Sequence, residues 1–419
     1  MWRTLQALAF DRRTLLVLYV FAAIFVSVQL VLLGTHAFIM PKPGNIPGDI
    51  MNQPQYMNLF LGRRLTEYNN YVIFRYSWFH LLHGTNLYGI YPTQYWDFYK
   101  YSPTFALFMG LLAYLPDVVG LSAWNLLNVL AVYYAIRLLP FNNKALCLLL
   151  WFIGNELITS LSNTQSNGLM CGLMIAAFGC MQQGKMMWAA LWLMVATYIK
   201  VYGIIGCCLF LFYPGKLKFI LYAILWTVIL AVLPLSVTPF HTLVWQYHNW
   251  ASLLIADASE ATGLSVTGWL SAWFGIAGSY SKYITLMGVA LFLLPFVKFR
   301  LYQNELYRLL TLAAMLLWVI IFNHKAESPT YIIAVAGVGI WYFAMPRAAW
   351  RTALLVFVLI FTSLSTTDFF PLSVRVSFIM PYKIKAFPCI VAWIVVFTEL
   401  MLLKPASKLA PGNKVLAVN

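Results

Sequence analysis

Long apolar runs recur along almost the whole chain and are separated by short polar segments. A helix that crosses a bilayer needs about 20 apolar residues, because the hydrocarbon core is about 30 Å thick. Short segments, or segments interrupted by Pro or Gly, are typical of re-entrant or broken helices beside binding sites. The pattern predicts thirteen apolar helical segments, several of them short: 14–35, 102–116, 119–137, 145–161, 167–183, 186–200, 202–214, 217–235, 281–298, 305–322, 329–345, 350–366 and 386–403.

The composition places most of this apolar surface in lipid. Hydrophobic residues make up 62% of the 419 positions and charged residues only 9%, whereas about 25% of the residues of a soluble domain are charged. A soluble core of this size cannot bury so much apolar surface. We therefore predict an all-α fold, a polytopic transmembrane helical bundle that forms one multi-pass membrane domain over residues 1–419.

Lysine and arginine predict the orientation of the bundle. The net charge is +15, but the basic residues lie at the edges of apolar runs and not on one face, which argues against nucleic acid as a partner. With the N-terminus in the cytoplasm, sixteen of the 27 basic residues fall in the termini and short connections on that side, as the positive-inside rule requires. This holds if 102–137 contributes one net crossing, so we predict about twelve crossings with both ends cytoplasmic.

Two long loops then lie on the extracytoplasmic side, at 36–101 and 236–280, and residues 404–419 form a cytoplasmic tail. Within the first loop, 70–82 is rich in aromatic residues and predicts an amphipathic helix in the membrane interface. The run of Tyr and Trp that follows suits interfacial anchoring or a platform for sugar and lipid. All six His and most of the acidic residues fall on this side or at its border.

Several kinds of chemistry are disfavoured by what the sequence lacks. The six Cys all lie within apolar runs, which is typical of small core residues and not of a disulfide framework or a metal site. The chain has no GxxxxGK[ST] loop, no HExxH or GxSxG motif and no Asp-x-Asp pair. We therefore predict no cofactor and no metal, which leaves a reaction on a lipid-phosphate donor open.

Polar residues inside the apolar pattern are candidates for function, because ionisable groups in a membrane protein are energetically costly. Glu156 and Asn163 are seven residues apart and share one helix face. Asn163, Gln165 and Asn167 could bind a sugar or a phosphate, or could join helices through hydrogen bonds. Lys200, at the end of a short apolar segment, could bind a lipid phosphate or extend to the interface.

Three further places combine acidic and basic groups on the extracytoplasmic side. The segment around His324, Lys325 and Glu327 offers a base and a cation in one compact turn, or a salt-bridged turn without function. Pro329 follows at a plausible first helical position. The other two places are weaker candidates, because surface ion pairs are common without function: Glu67 to Arg75, with His80 close by, and Asp97 with Lys100.

Short motifs follow one another along the chain in an order that suggests a family. The first are Asn70-Tyr71-Val72-Ile73-Phe74, Leu81-Leu82-His83-Gly84 with Tyr88, and Tyr101-Ser102-Pro103. The later ones are Thr164-Gln165-Ser166-Asn167, Lys200-Val201-Tyr202 and Ser328-Pro329. In order and spacing they resemble the C-type (GT-C) membrane glycosyltransferases, and more closely glycosyltransferase family 87, the polyprenyl-phosphate-mannose-dependent mannosyltransferases. The resemblance spans roughly residues 14–400.

The resemblance implies transfer of a hexose, in first place mannose, from a polyprenyl-phosphate sugar to a lipid or glycan acceptor. The family's catalytic base is an Asp in the first loop, where this chain has Asn70, and an amide cannot take up a proton from a hydroxyl. Four other carboxylates could replace that base: Glu327, Glu156, Asp97 and Glu67. We rank Glu327 first.

The resemblance further implies that Lys200, with Arg75 or Lys100, holds the donor phosphate. Asn163, Gln165 and Asn167 would then orient the sugar. The remaining candidates for substrate binding are Asn70, His80, His324 and Lys325.

The alternative is a protein without catalytic activity that binds glycolipid, or a flippase for lipid-linked sugars. Asn70 favours this alternative. Large loops on one side argue against a flippase, and so does the lack of internal repeats. Either protein would also contact membrane lipids. The short loops and the lack of a retention signal favour a bacterial inner membrane.

Overall fold

The computed structural model describes residues 9–37, 64–257, 262–276, 278–405, 408–410 and 412. Within these ranges the chain is mainly α-helical, as predicted. Most of the predicted first loop before residue 64, part of the second loop, and most of the predicted tail 404–419 lie outside the described residues.

The helices follow the apolar runs of the sequence. In the described ranges they are α1 (Arg12–Leu33), α2 (Asn69–Leu82), α3 (Pro103–Ala113), α4 (Asp117–Ile136), α5 (Asn143–Ser162), α6 (Asn167–Gln182), α7 (Met186–Ile199), α8 (Lys216–Val232), α9 (Phe240–Asp257), α10 (Val266–Phe274), α11 (Ser281–Leu293), α12 (Glu305–Ile321), α13 (Tyr331–Ala344), α14 (Ala349–Val358), α15 (Leu372–Val374) and α16 (Phe387–Leu402). Two short strands, β1 (Thr35–Ala37) and β2 (Arg64–Thr66), pair antiparallel.

Each of the thirteen predicted segments coincides with a helix, but several helices are shorter than predicted. The segment predicted at 102–116 is the 11-residue α3, and the one predicted at 202–214 is a 3₁₀ helix, Val201–Phe212. Among the described residues, six helical segments are long and apolar enough to cross a membrane: Arg12–Leu33, Asp117–Ile136, Asn143–Ser162, Lys216–Ser236, Gly278–Val297 and Ile384–Leu402. The chain is therefore a helical membrane protein, and its twelve crossings stay a prediction.

The helices pack most tightly around α12 and α13, where almost every residue is buried. Small residues allow close approach elsewhere in the bundle, as is typical of membrane helices. At Gly172 in α6, a Cβ atom would lie 2.5 Å from the backbone carbonyl carbon of Ala131 in α4. A larger residue at this position would force α4 and α6 apart.

Each of the two long loops contains a helix, and the helix of the second loop packs on the segment that follows the helix of the first. A helix, α2, is present where the first loop predicts one, and its placement in the membrane interface stays a prediction. Its Phe74 ring lies 4.9–5.4 Å from the rings of Tyr101, Phe105 and Trp124. The second loop contributes α9, whose Gln246 amide donates to the Thr85 carbonyl at 2.6 Å and accepts from the Leu87 N–H at 3.1 Å. The described part of the second loop thus contains a helix that packs on the described part of the first.

Candidate active site

Four side chains from three separate segments of the chain form one continuous line of hydrogen bonds. The Lys200 ammonium donates to the side-chain oxygen of Asn167, Oδ1, at 2.7 Å. The Asn167 amide donates to Gln165 Oε1 at 2.6 Å, and the Gln165 amide donates to Glu327 Oε2 at 2.7 Å. We refer to Gln165 and Asn167, which lie between the two charged groups, as the amide bridge.

The charges at the two ends determine the direction of the amide bridge. An ammonium can only donate hydrogen bonds and an ionised carboxylate can only accept them. Asn167 must therefore turn its oxygen to Lys200, and Gln165 must turn its N–H to Glu327. Both amide dipoles then point the same way, an arrangement in which neighbouring hydrogen bonds polarise and strengthen one another.

Breaks between secondary-structure elements bring these side chains together. Lys200 has an extended backbone between the end of α7 and the 3₁₀ helix that begins at Val201. Gln165 and Asn167 lie in the turn between α5 and α6 and at the start of α6. Glu327 directly precedes a 3₁₀ turn over Ser328–Thr330, which contains Pro329 near its start as the sequence predicts.

Burial differs along the line of four side chains. Gln165 and Asn167 are buried, whereas Glu327 is exposed and Lys200 is half-buried. The exposed carboxylate is thus accessible to an incoming molecule, while the buried amides hold the connection behind it.

The turn that carries Gln165 has a strained backbone. Thr164 has a φ of +50°, a region that β-branched residues rarely occupy. Two contacts hold Thr164 there: its hydroxyl accepts the Tyr71 N–H at 3.1 Å, and its carbonyl accepts the Trp124 indole N–H at 3.0 Å. Such backbone strain is often found at functional sites, where the surrounding structure enforces it.

The start of α2 lies against this same turn. The side-chain amide of Asn70 donates to the backbone carbonyl oxygen of Asn163 at 2.9 Å. The neighbouring Asn69 is buried and makes two hydrogen bonds with the backbone of Trp96. The position at which the resemblance expects an acid is therefore at the candidate site, occupied by an amide that acts as a donor.

Tyr101 borders the Lys200 end of the site. The Lys200 nitrogen lies 5.9 Å from the centre of the Tyr101 ring, within the range of a cation–π contact. Burial raises the pKa of the Tyr101 hydroxyl, which keeps it protonated at neutral pH. Nearby, Asp97 and Lys100 form an ion pair at 3.7 Å, and Asp97 has a φ of +76°.

Glu156 belongs to a separate buried cluster. Its carboxylate accepts from the Lys385 ammonium at 2.7 Å, and both side chains are almost completely inaccessible to solvent. The Lys385 nitrogen also lies 5.5 Å from the centre of the Tyr331 ring. Of the four acids that the sequence singles out, Glu327 therefore contacts the amide bridge, and Glu156 is committed to an interior ion pair.

Arg75 and His80 make contacts within the fold. Arg75 forms an ion pair with Asp117 and donates to the Ala113 carbonyl at 2.9 Å. His80 is buried, bonds Gln94 at 2.9 Å and stacks on Tyr91 with 3.9 Å between ring centres. Burial lowers the pKa of His80 to about 4, so the ring is neutral at physiological pH.

The other sequence candidates lie around the site in different ways. The Asn163 side chain is exposed and donates to the Thr159 carbonyl of its own helix. The His324 and Ala326 carbonyls accept the N–H groups of Gly263 and Leu264, each at 2.7 Å, which fastens the second loop to the turn of Glu327. Lys325 donates its backbone N–H to the Asn323 side chain. Glu67 is exposed, just before α2.

Sequence reasoning missed partners that only tertiary contacts define. Asp117 pairs with Arg75, Lys385 pairs with Glu156, and Thr164 holds the strained turn. Each is separated from its partners by about forty residues or more, and no local pattern links them. Only the partner of Glu156 could have been expected from the sequence. A carboxylate in an apolar helix is energetically costly, so it predicts a basic partner of unknown position.

A family model described as glycosyltransferase family 87 matches residues 98–366. The matched region contains Tyr101, Gln165, Asn167, Lys200 and Glu327, whereas Asn70 and Asp97 precede it. A search of curated proteins gives no match to the chain.

Proposed function

The chain belongs to glycosyltransferase family 87 and is a membrane glycosyltransferase, and from this we propose a specific reaction. The protein transfers a hexose from a polyprenyl-phosphate donor to a lipid or glycan acceptor on the extracytoplasmic side, and mannose is the first candidate for this hexose. The observation that carries the proposal is the line from Lys200 to Glu327, since it holds a cation and an accessible carboxylate in one site.

Lys200 is suited to bind the donor phosphate. A lysine ammonium has three hydrogen-bond donors, of which Asn167 accepts one. The phosphate is the leaving group, so negative charge develops on it as the bond to the sugar breaks. A fixed cation in a water-poor site stabilises that charge more strongly than water would. The face of Tyr101 beside Lys200 offers an apolar surface to the sugar.

Glu327 is suited to act as the general base. Its carboxylate is exposed and ionisable, and it has acceptor capacity beyond the hydrogen bond from Gln165. In the proposed reaction it takes the proton from the acceptor hydroxyl as that oxygen bonds to the sugar carbon. General base catalysis of this kind contributes typically ~10²–10⁴-fold to the rate.

The other acids are less well placed for this role. Glu156 is buried beside Lys385, and a carboxylate in an interior ion pair cannot meet an acceptor hydroxyl. Asp97 pairs with Lys100 and ranks second, because it neighbours Tyr101. Glu67 is exposed near the start of α2 and ranks third. Full activity of a triple variant, Glu327→Gln with Asp97→Asn and Glu67→Gln, would contradict all three assignments together.

The proposal includes a location and a topology. The chain would cross a bacterial inner membrane twelve times with both ends in the cytoplasm, and the site would lie on the extracytoplasmic side. The arrangement of basic residues supports this orientation. The packing of the second loop on the first supports a covered site at that surface.

A second candidate function is a glycolipid-binding protein without catalytic activity. It rests on Asn70, whose amide donates to a backbone carbonyl at the position where the resemblance expects a base. Glu327 in contact with the amide bridge favours the enzyme, because it supplies a carboxylate at the same site.

Sugar transfer by the purified protein in nanodiscs tests these two functions. The reaction would contain a radiolabelled polyprenyl-phosphate hexose, a membrane lipid extract as acceptor, and EDTA. We expect label on a new lipid or glycan, which would establish metal-independent transfer. Donor binding without transfer, across several sugars and acceptors, would favour the non-catalytic protein.

A further inference from the structure

The two charges of the site are held apart by the amide bridge. Lys200 and Glu327 carry opposite charges and each is hydrogen-bonded to the amide bridge, so Coulomb attraction favours direct contact between them. The structure describes no direct ion pair between them, and the only described connection is through Asn167 and Gln165. This spacing is unexpected, because a nearby lysine and glutamate gain Coulomb energy by direct contact.

We propose that Gln165 and Asn167 are positioning residues that prevent Lys200 and Glu327 from collapsing into a direct ion pair. This inference rests on the proposed function for its catalytic meaning. A direct pair would occupy the ammonium that is to receive the phosphate and the carboxylate that is to receive a proton. The amide bridge satisfies each charged group with one hydrogen bond and leaves further donors and acceptors for the substrates.

The rigidity of the amide bridge supports this role. Asn167 is completely buried at the start of α6, and Gln165 is 9% exposed. The turn between them and α5 is fixed by the contacts of Thr164. A spacer must not yield when the charges attract each other, and buried amides on a constrained turn meet that condition.

The spacing also suits the geometry of substitution at a sugar carbon. In a single displacement the acceptor oxygen enters opposite to the leaving phosphate, so the base and the phosphate-binding cation must be on different sides of the sugar. The amide bridge keeps Glu327 and Lys200 apart by the length of two hydrogen-bonded side-chain amides. Gln165 and Asn167 thus act by holding Lys200 and Glu327 apart, and they do not orient the sugar directly.

The chemical reactivity of Lys200 measures the spacing without relying on catalysis. An amine-acylating reagent modifies the neutral amine, and a direct carboxylate partner keeps lysine charged and slows the reaction. The variant Gln165→Met removes the hydrogen bonds at similar size, and Gln183→Met makes the same change at the exposed end of α6. Peptide mass spectrometry would quantify Lys200 acylation relative to Lys282.

We expect acylation of Lys200 to be about ten-fold slower in Gln165→Met than in the unaltered protein, and unchanged in Gln183→Met. In the double variant Gln165→Met with Glu327→Gln, the rate should equal that of Glu327→Gln alone, since no carboxylate remains to pair with. An unchanged rate in Gln165→Met, or a slow rate that persists in the double variant, would overturn the proposal.

Transfer kinetics provide a second readout that a merely structural role would not produce. We expect Gln165→Met to lower kcat and to raise the donor KM together, each by about ten-fold, because a direct pair would occupy both the base and the phosphate-binding cation. The variant should add no further loss of kcat in the Glu327→Gln background. A higher donor KM at unchanged kcat would mean that Gln165 binds the sugar directly. If Glu327→Gln alone leaves transfer intact, the base assignment fails, while acylation of Lys200 still decides the spacing.

Discussion

The side-chain amide of Asn70 donates a hydrogen bond to the backbone carbonyl of Asn163 at 2.9 Å. This contact joins the start of α2 to the turn that carries the amide bridge. It also explains why an amide is suitable at this position, because a carboxylate would place one acceptor against another.

Asn70→Asp restores the acid that the family resemblance expects, and we expect no gain in kcat at neutral pH. The ionised carboxylate would repel the Asn163 backbone carbonyl, and the loss of this exposed hydrogen bond should cost about 0.5–1.5 kcal/mol of stability. Transfer assays and thermal unfolding in detergent would measure both effects. An increase in kcat would move the role of base from Glu327 to residue 70.

Glu327→Gln should lower kcat by roughly 10²–10⁴-fold, because glutamine keeps the size of the side chain but cannot accept the proton. Donor binding should be retained. Asp368→Asn is a matched control, since Asp368 is a surface acid with a 97% exposed side chain paired with Arg375, and such pairs contribute little. Equal activities of the two variants in a transfer assay would exclude Glu327 as the base.

Lys200→Met should raise the donor KM by about 10–100-fold, the effect of removing a charged hydrogen bond to the phosphate. Lys282→Met, on α11, removes a lysine that contacts the Tyr283 ring and should leave the donor KM unchanged. Equilibrium binding of a polyprenyl-phosphate hexose to both variants would check this. Unaltered donor affinity of Lys200→Met would place the phosphate elsewhere.

The ion pair between Glu156 and Lys385 should matter for folding and not for the reaction. Lys385→Met leaves the Glu156 carboxylate buried without its cation, which costs about 3–5 kcal/mol. Replacing both residues, as Glu156→Leu with Lys385→Met, should recover much of that loss. Thermal unfolding in detergent compares these two variants with Arg375→Met, whose ion-pair partner is exposed and which should therefore lose less than about 1 kcal/mol of stability.

The activity of the folded fraction should survive in the double variant of Glu156 and Lys385. Loss of transfer in a stably folded double variant would show that the interior pair participates in the reaction.

Acidification should destabilise the first loop through His80. Burial lowers the pKa of this ring to about 4 in the folded protein, compared with about 6.5 in an unfolded chain. The unfolded state binds more protons between these values, so stability is full above pH 6.5 and falls as the pH drops towards 4. The second ring nitrogen, Nδ1, has no hydrogen-bond partner among the described residues, so a proton placed there would be unsatisfied.

Melting temperatures between pH 7 and pH 4 would test this. His80→Gln should reduce the loss of unfolding free energy between pH 7 and pH 4 by up to about 3 kcal/mol. His241→Gln, at an exposed position on α9, should leave that loss unchanged. A pH dependence that persists unaltered in His80→Gln would assign it to other groups.

The sequence by itself determined the helical membrane fold and the candidate groups. Apolar runs long enough to span lipid leave few alternatives to helices, because unpaired backbone groups are very costly in a bilayer. The cost of charge in such a chain also drew attention to Lys200, Glu156 and Glu327. The bounds of the helices were less accurate, since propensity does not predict that Val201–Phe212 winds as a 3₁₀ helix packed through Gly203 and Gly206 on α7.

Only the tertiary structure decided which of these groups meet. Gln165 and Glu327 are 162 residues apart, and Glu156 and Lys385 are 229 apart. Such contacts depend on how whole helices pack, which no local pattern encodes. The sequence ranked Glu327 first but kept Glu156 as a candidate base, whereas packing buries Glu156 beside a lysine and leaves Glu327 exposed at the end of the amide bridge. The physical reason is that burial and partner together, and not residue type, determine what a carboxylate can do.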